Sequence, residues 1–199
     1  MEYTIRNIKL NEFINIYNRI EQDFTSGEYA PYDILYKQLQ DGVQKGLILL
    51  EGESEVAYSI CTQGDTSEYV LVSLLAVYEE FRGRGFGSAF LGQLKKIYSD
   101  KKGIIVEVEK PKKAVTKEEK ILREKRIQFY QKAGFYLIPD IDYSIWDVPM
   151  HLMVLPLKAP NWIVNKEIGQ IICEIYLTLL GKHSIHKCKF EKLKTKIIP

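Results

Sequence analysis

Hydrophobic positions along this chain change period several times, and each change marks an element. Residues 69–77, YVLVSLLAV, form an apolar run rich in Val and Leu, the pattern of a buried strand. After an Arg- and Gly-rich turn, Phe86, Ala89, Phe90, Leu94, Ile97 and Tyr98 recur at helical spacing and predict an amphipathic helix. Upstream, residues 3–9 alternate as a first strand, and Asn11 is placed to cap a helix whose Phe13, Ile14, Tyr17 and Ile20 share a face. Residues 25–33 carry Gly27 and Pro31 and read as a loop, followed by a second helix over about 32–44. LILLEGESEVAYSICTQ predicts two antiparallel strands joined around residues 52–54. Downstream come a strand at 103–109, a charged link KPKKAVTKEEKILREK into a helix bearing Tyr130, and closing strands near 135–141 and 149–157. Beyond Pro160, Ile168, Ile171, Ile172, Ile175, Tyr176 and Leu179 fall on one face of a further helix, stopped by Gly181.

Strands and helices mixed in this order give an α+β domain over residues 1–158, with residues 159–199 as a C-terminal helix and basic tail packed on it. The helical stripe either packs on the domain or forms a dimer contact, so monomer and homodimer both stand. Of the 199 residues, 46% are hydrophobic and 27% charged, which excludes disordered and collagen-like classes. A net charge of +2 exerts no global pull on nucleic acid. The tail lysines, Lys187, Lys189, Lys192, Lys194 and Lys196, read as a solvated run, with an acidic partner as the alternative. Cys61, Cys173 and Cys188 are odd in number and widely spaced, as reduced thiols of a cytoplasmic protein would be. MEYTIRNIKL does not have the form of a signal peptide, and the apolar stretch around Ile171 carries Glu174 in its middle and is too short to span a bilayer. No metal site is expected, because His183, His186 and Cys188 lack a fourth ligand at recognised spacing.

Chemistry concentrates in Arg82-Gly83-Arg84-Gly85-Phe86-Gly87. A strand feeding a glycine-rich turn into a helix aims backbone N–H groups and the positive helix end at one spot, which suits a phosphate or pyrophosphate. The nucleotide P-loop is excluded because no Lys follows the glycines. The dinucleotide fingerprint fails at Ser88, where the third Gly should stand.

Arg82-x-x-Gly85-x-Gly87, preceded by the LLAV strand, resembles the GNAT acyltransferase superfamily, whose Arg/Gln-x-x-Gly-x-Gly/Ala turn cradles the pyrophosphate of coenzyme A. RIQFYQKAGFYLIP, residues 126–139, resembles the superfamily's later helix-turn-strand, with Phe129-Tyr130 ahead of Gly134-Phe135. The resemblance implies a mostly antiparallel mixed sheet splayed between its fourth and fifth strands, and acetyl-CoA as co-substrate. It places the cofactor on Arg82, Gly83, Arg84, Gly85, Phe86, Gly87 and Ser88, with backbone N–H groups near Leu75, Ala76 and Val77 on the acyl end. It implies Tyr130 as the acid that protonates the leaving thiolate. By likeness to the ribosomal-protein N-terminal acetyltransferases, it also implies Glu107 as the base. Glu109 shares that strand face and remains open for the same role. Many relatives carry Asn where this chain has Arg123, and the charged link is longer, so the match is to a bacterial branch of GNAT proteins with no assigned acceptor.

Two loops would line the acceptor side. One holds Glu21, Asp23, Glu28, Tyr29, Tyr32 and Asp33; the other holds Asp140, Asp142, Tyr143, Trp146 and Asp147. Carboxylates among aromatics suit a cationic amine, and a plain solvated loop is the alternative. Transfer of an acetyl group to a primary amine on a small molecule or peptide thus stands against a non-catalytic acyl-CoA sensor or partner-binding module. A nucleic-acid protein using the lysine tail is the third reading.

Overall fold

The computed structural model describes residues 3–64, 67–158 and 160–192, without the side chains of 161–163. In chain order these form β1 (Tyr3–Asn7), α1 (Phe13–Asp23), α2 (Tyr32–Gln40), β2 (Gln44–Glu51), β3 (Ser54–Gln63), β4 (Tyr69–Val77), α3 (Phe86–Ile97) and β5 (Gly103–Glu109). There follow α4 (Lys117–Lys132), β6 (Tyr136–Leu137), β7 (Ile141–Ile145), β8 (Val148–Pro156), α5 (Asn161–Ser184) and β9 (Cys188–Lys192). One sheet runs in the order β1-β2-β3-β4-β5-β8-β7-β9, with β6 pairing β8. Every pairing is antiparallel except β4 with β5.

That parallel pair sets up the site. Its register joins Tyr69 to Gly103 and continues only as far as Val72 with Val106. Beyond it β4 runs on to Val77 and β5 to Glu109 with no pairing between them. The strands part there, and the sheet opens. A bulge adds to the divergence, since Cys61 pairs Val72 while the adjacent Ile60 pairs Leu74, leaving Ser73 as the extra residue. A bulge bends its strand and reverses which side chains face which layer. Val70 and Val72 accordingly pack with α3 and α4, whereas Leu74, past the bulge, packs with α1 and α2.

Two helical layers cover the sheet. Phe86, Phe90, Leu91 and Leu94 of α3 bury against Val70, Val72, Ile104 and Val106 on one face. On the other, Val164, Ile168, Ile172 and Ile175 of α5 lie fully buried on Leu71, Ile105, Leu152 and Val154. The apolar stripe of the last helix is therefore packed on the sheet.

The structure differs from the sequence reading in four places. The charged link is mostly helix, because Thr116 caps α4 by accepting from the Glu119 N–H at 3.1 Å, so its charged residues line an exposed helical surface. Asn11 does not cap α1; a short 3-10 turn over Leu10–Glu12 leads in, and Glu12 precedes the helix. The strand expected over 135–141 splits into β6 and β7, separated at Asp140 with φ 53°. Residues 188–192 are not solvated tail but the edge strand β9, paired along β7 from Ile145–Cys188 to Ile141–Lys192. Its Phe190 ring comes so close to Gly169 of α5 that an added Cβ there would lie 2.6 Å from it. Lys194 and Lys196 lie outside the described residues.

Candidate active site

The glycine turn follows a strand that ends in the opened part of the sheet. Gly83 (φ 78°) and Gly85 (φ 86°) are left-handed, a conformation glycine adopts without steric cost. Gly85 precedes α3, which has no side-chain cap, so the N–H groups of its first turn remain available to an anion. Gly87 serves a different end. A Cβ there would meet the Phe129 ring at 3.1 Å, so this glycine lets α3 approach α4. A cleft of about 360 Å³ lies along the turn, lined by Leu75, Val77, Phe81, Arg82, Gly83, Gly85, Phe86, Gly87, Ser88, Arg126, Phe129 and Tyr130.

On β4 the backbone alternates, and the Tyr78 N–H bonds Val56 on β3 at 3.0 Å. Two-residue alternation turns the Ala76 N–H toward β3 as well, and leaves those of Leu75 and Val77 on the open side. The donor expected at Ala76 is thus committed to the sheet, while the flanking two face the cleft. Arg82 does not point freely outward: its guanidinium meets Asp23 at 2.5 Å and its Nε donates to the Val77 carbonyl at 3.2 Å. Arg84 lies 3.4 Å from Glu51 and over the Phe81 and Phe86 rings.

A larger cavity of about 810 Å³ opens on the opposite side, between the segment after α1, the β7–β8 turn and the end of α5. Leu75, Val77, Arg82, Arg126 and Tyr130 line both spaces. Tyr130 is buried, its ring edge-on to Phe129 at 5.0 Å and Phe135 at 5.3 Å. Burial pushes its phenol up to about 12, with Arg126 opposing the shift. The hydroxyl therefore carries its proton at neutral pH.

Glu107 and Glu109, neighbours on one face of β5, have opposite surroundings. Glu109 is an ion-pair residue, 2.7 Å from Arg123 and 3.3 Å from Arg126. Among the described residues Glu107 meets no cation. It accepts hydrogen bonds from the Tyr143 hydroxyl on β7 and from the Tyr176 hydroxyl on α5, the latter at 2.8 and 3.0 Å to its two oxygens. Burial raises its pKa above the usual carboxylate range, and the two phenols pull it back part of the way. A raised carboxylate facing a cavity is suited to take a proton from an ammonium group.

Of the acceptor-side residues read from the sequence, Asp23, Glu28, Tyr29 and Trp146 do line the large cavity, while the others do not. Asp142 and Asp147 pair with Lys110 and Lys189, and Tyr32 stacks on Phe13 at 5.6 Å. The β7–β8 turn is made by Trp146 (φ 53°) and Asp147 (φ 63°), both left-handed without being glycine. Backbone bonding from Trp146 N–H to the Lys187 carbonyl at 3.0 Å holds the turn beside the cavity. Sequence reasoning missed Tyr176, which looked like one more member of an apolar stripe. Its pairing with a strand carboxylate could have been sought in the one hydroxyl on that helix face. No cluster of three or more His, Cys, Asp or Glu suited to a metal occurs among the described residues, and no helix there is long and apolar enough to cross a membrane.

Comparison with known proteins agrees with this geometry. Residues 44–137 match the family model described as an Acetyltransferase (GNAT) domain. No curated protein matches the chain by sequence. Among solved structures, a GNAT-family protein from Bacteroides thetaiotaomicron superposes with a TM-score of 0.70 at 23% identity, over 89% of this chain and 98% of its own. The spermidine N-acetyltransferase of Vibrio cholerae, solved with CoA and spermine, gives 0.59 at 12% identity over 78% and 95%. The ribosomal-protein-S18-alanine N-acetyltransferase of Escherichia coli gives 0.57 at 18% identity over 80% and 97%. The domain model thus spans residues 44–137, a little under half of the chain, and along most of its length the chain shares the fold of a GNAT-family structure.

Proposed function

We propose that the protein is a CoA-dependent N-acetyltransferase that passes an acetyl group from acetyl-CoA to a primary amine by direct attack, with both substrates bound at once. One observation carries this reading: the cleft at the glycine turn and the cavity over Glu107 meet along the same side chains, Leu75, Val77, Arg82, Arg126 and Tyr130. Two substrates entering from opposite faces of the sheet would join at that line.

The residues divide the work. The uncapped first turn of α3 and the left-handed Gly83 and Gly85 would hold the pyrophosphate of CoA. The Leu75 and Val77 N–H groups, on the unpaired edge of β4, would donate to the acyl oxygen as it gains charge. Glu107 would take the ammonium proton, so that the amine attacks neutral, while Glu109 is engaged by Arg123 and Arg126. Tyr130, protonated and in contact with both cavities, would return a proton to the leaving thiolate. The bound thioester itself supplies only the activated acyl group.

The test is free-thiol release from acetyl-CoA against an amine library, run beside a binding measurement. Amine-dependent release supports the reading. Binding of acetyl-CoA with no release against any amine refutes it in favour of an acyl-CoA sensor.

A further inference from the structure

The acceptor cavity has an unusual charge arrangement. Four carboxylates line it, Asp23, Glu28, Glu107 and Glu109. Asp23 is held by Arg82 at 2.5 Å and also accepts from the Tyr58 hydroxyl at 2.9 Å. Arg126 sits between Glu109 at 3.3 Å and Glu28 at 3.9 Å, and Arg123 adds a second cation to Glu109. Glu28 is occupied further by the Thr25 N–H at 2.7 Å and its hydroxyl at 2.9 Å. Only Glu107 among the four meets neutral hydroxyls alone.

Most of the remaining wall is apolar. Phe24, Ile34, Leu74, Trp146, Met150 and Leu179 come from six different parts of the fold and converge on the same space. Trp146 is 46% exposed and Ile34 51% exposed, so the Trp146 ring and the Ile34 side chain both leave apolar surface open where they line the cavity. A volume of about 810 Å³ is in the range that encloses a drug-sized molecule.

On the reading that this is an acetyl acceptor site, we propose that the acceptor is a primary monoamine on an apolar body large enough to carry an aromatic ring, its single ammonium on Glu107 and its body against the Trp146–Ile34–Leu179 wall. One uncompensated carboxylate matches one ammonium. A polyamine or aminoglycoside would bring further cations into contact with Ile, Leu and Trp side chains, where an unpaired charge is costly.

The experiment measures kcat/KM by thiol release at saturating acetyl-CoA for a series of n-alkylamines from propylamine to octylamine. It adds 2-phenylethylamine and tryptamine, and then spermidine, kanamycin and a peptide with a free N-terminal alanine. Burial against this wall should raise kcat/KM about fourfold per added methylene until the cavity fills. The aryl amines should exceed spermidine by roughly tenfold or more. Ile34→Asp adds a carboxylate at a half-exposed position in the first turn of α2, where folding tolerates it. It should lower kcat/KM for 2-phenylethylamine and raise it for spermidine. A flat alkyl series, or preference for spermidine, kanamycin or the peptide, overturns this proposal and leaves the acetyltransferase reading intact. Acetyl-CoA binding without release against any of these amines overturns both.

Discussion

Tyr176→Phe should move the acidic limb of the pH–rate profile upward without emptying the site. The phenol donates to both oxygens of Glu107, at 2.8 and 3.0 Å, and so favours the ionised form. A hydrogen bond to a charged group contributes about 1.5–3 kcal/mol, and one pKa unit corresponds to about 1.36 kcal/mol. Losing it should raise the Glu107 pKa further from a value already lifted by burial. On the acidic limb turnover should fall by about ten- to a hundredfold, the ratio that 1.5–3 kcal/mol represents, yet recover toward wild type as pH rises past the displaced limb. Stability carries the same sign. A carboxyl whose folded pKa lies above its unfolded one stabilises fully below the unfolded value, and that stability is lost as pH rises through the folded value. Tyr176→Phe widens this window, so its melting temperature should drop more than that of wild type as pH rises above the ordinary carboxylate range. The assay is kcat/KM from pH 5 to 9, with thermal melts in the same buffers. An acidic limb that stays in place while the rate falls equally at every pH would mean that Glu107 is not the base and Tyr176 only fills space.

Other substitutions test the remaining parts. Acetyl-CoA at a hundred times its Kd should stabilise the native state by about 2.7 kcal/mol, read as a rise in melting temperature. Gly85→Glu should abolish that rise, because φ 86° and the added charge both oppose the anion site; an unchanged shift would remove the turn from the cofactor site. Tyr130→Phe keeps the ring between Phe129 and Phe135, so turnover should drop about a hundredfold or more with CoA affinity near wild type. Full activity in that variant would leave Tyr130 as core alone. Glu107→Gln should lose a hundredfold or more in kcat and flatten the acidic limb, whereas inactivity confined to Glu109→Gln would move the base two residues along β5. Deleting residues 188–199 should lower the melting temperature and the activity together, since β9 backs Tyr143 through Phe190, with ring centroids 6.4 Å apart; an unaltered melt would show the strand to be dispensable.

How far the sequence discloses this site follows from what each residue's neighbours are. The glycine turn and the Tyr130 helix are local objects, set by φ, capping and apolar spacing within about fifteen residues, and their sequence signatures survive intact in the structure. The opening of β4 from β5 is less local and has no signature in the residues themselves; the resemblance of the two motifs to the GNAT superfamily implies it, and the pairing that stops at Val72 and Val106 shows it. Glu107 is different. From sequence it differs little from Glu109, two acidic residues on one pleat, each within reach of basic residues on the next helix. What separates them is that α4 supplies Arg123 and Arg126 to the outer one, while β7 and α5 supply Tyr143 and Tyr176 to the inner one. Those partners lie 36 and 69 residues away in the chain. Periodicity, moreover, counts Tyr176 simply as an apolar position. The lysine tail misleads for a related reason: an edge strand needs only one side of its backbone paired and one ring buried, so Cys188–Lys192 can carry alternate charges and still join the sheet. Its contribution to the site is indirect but definite, because the Lys187 carbonyl just before it holds Trp146 in the left-handed turn that walls the large cavity.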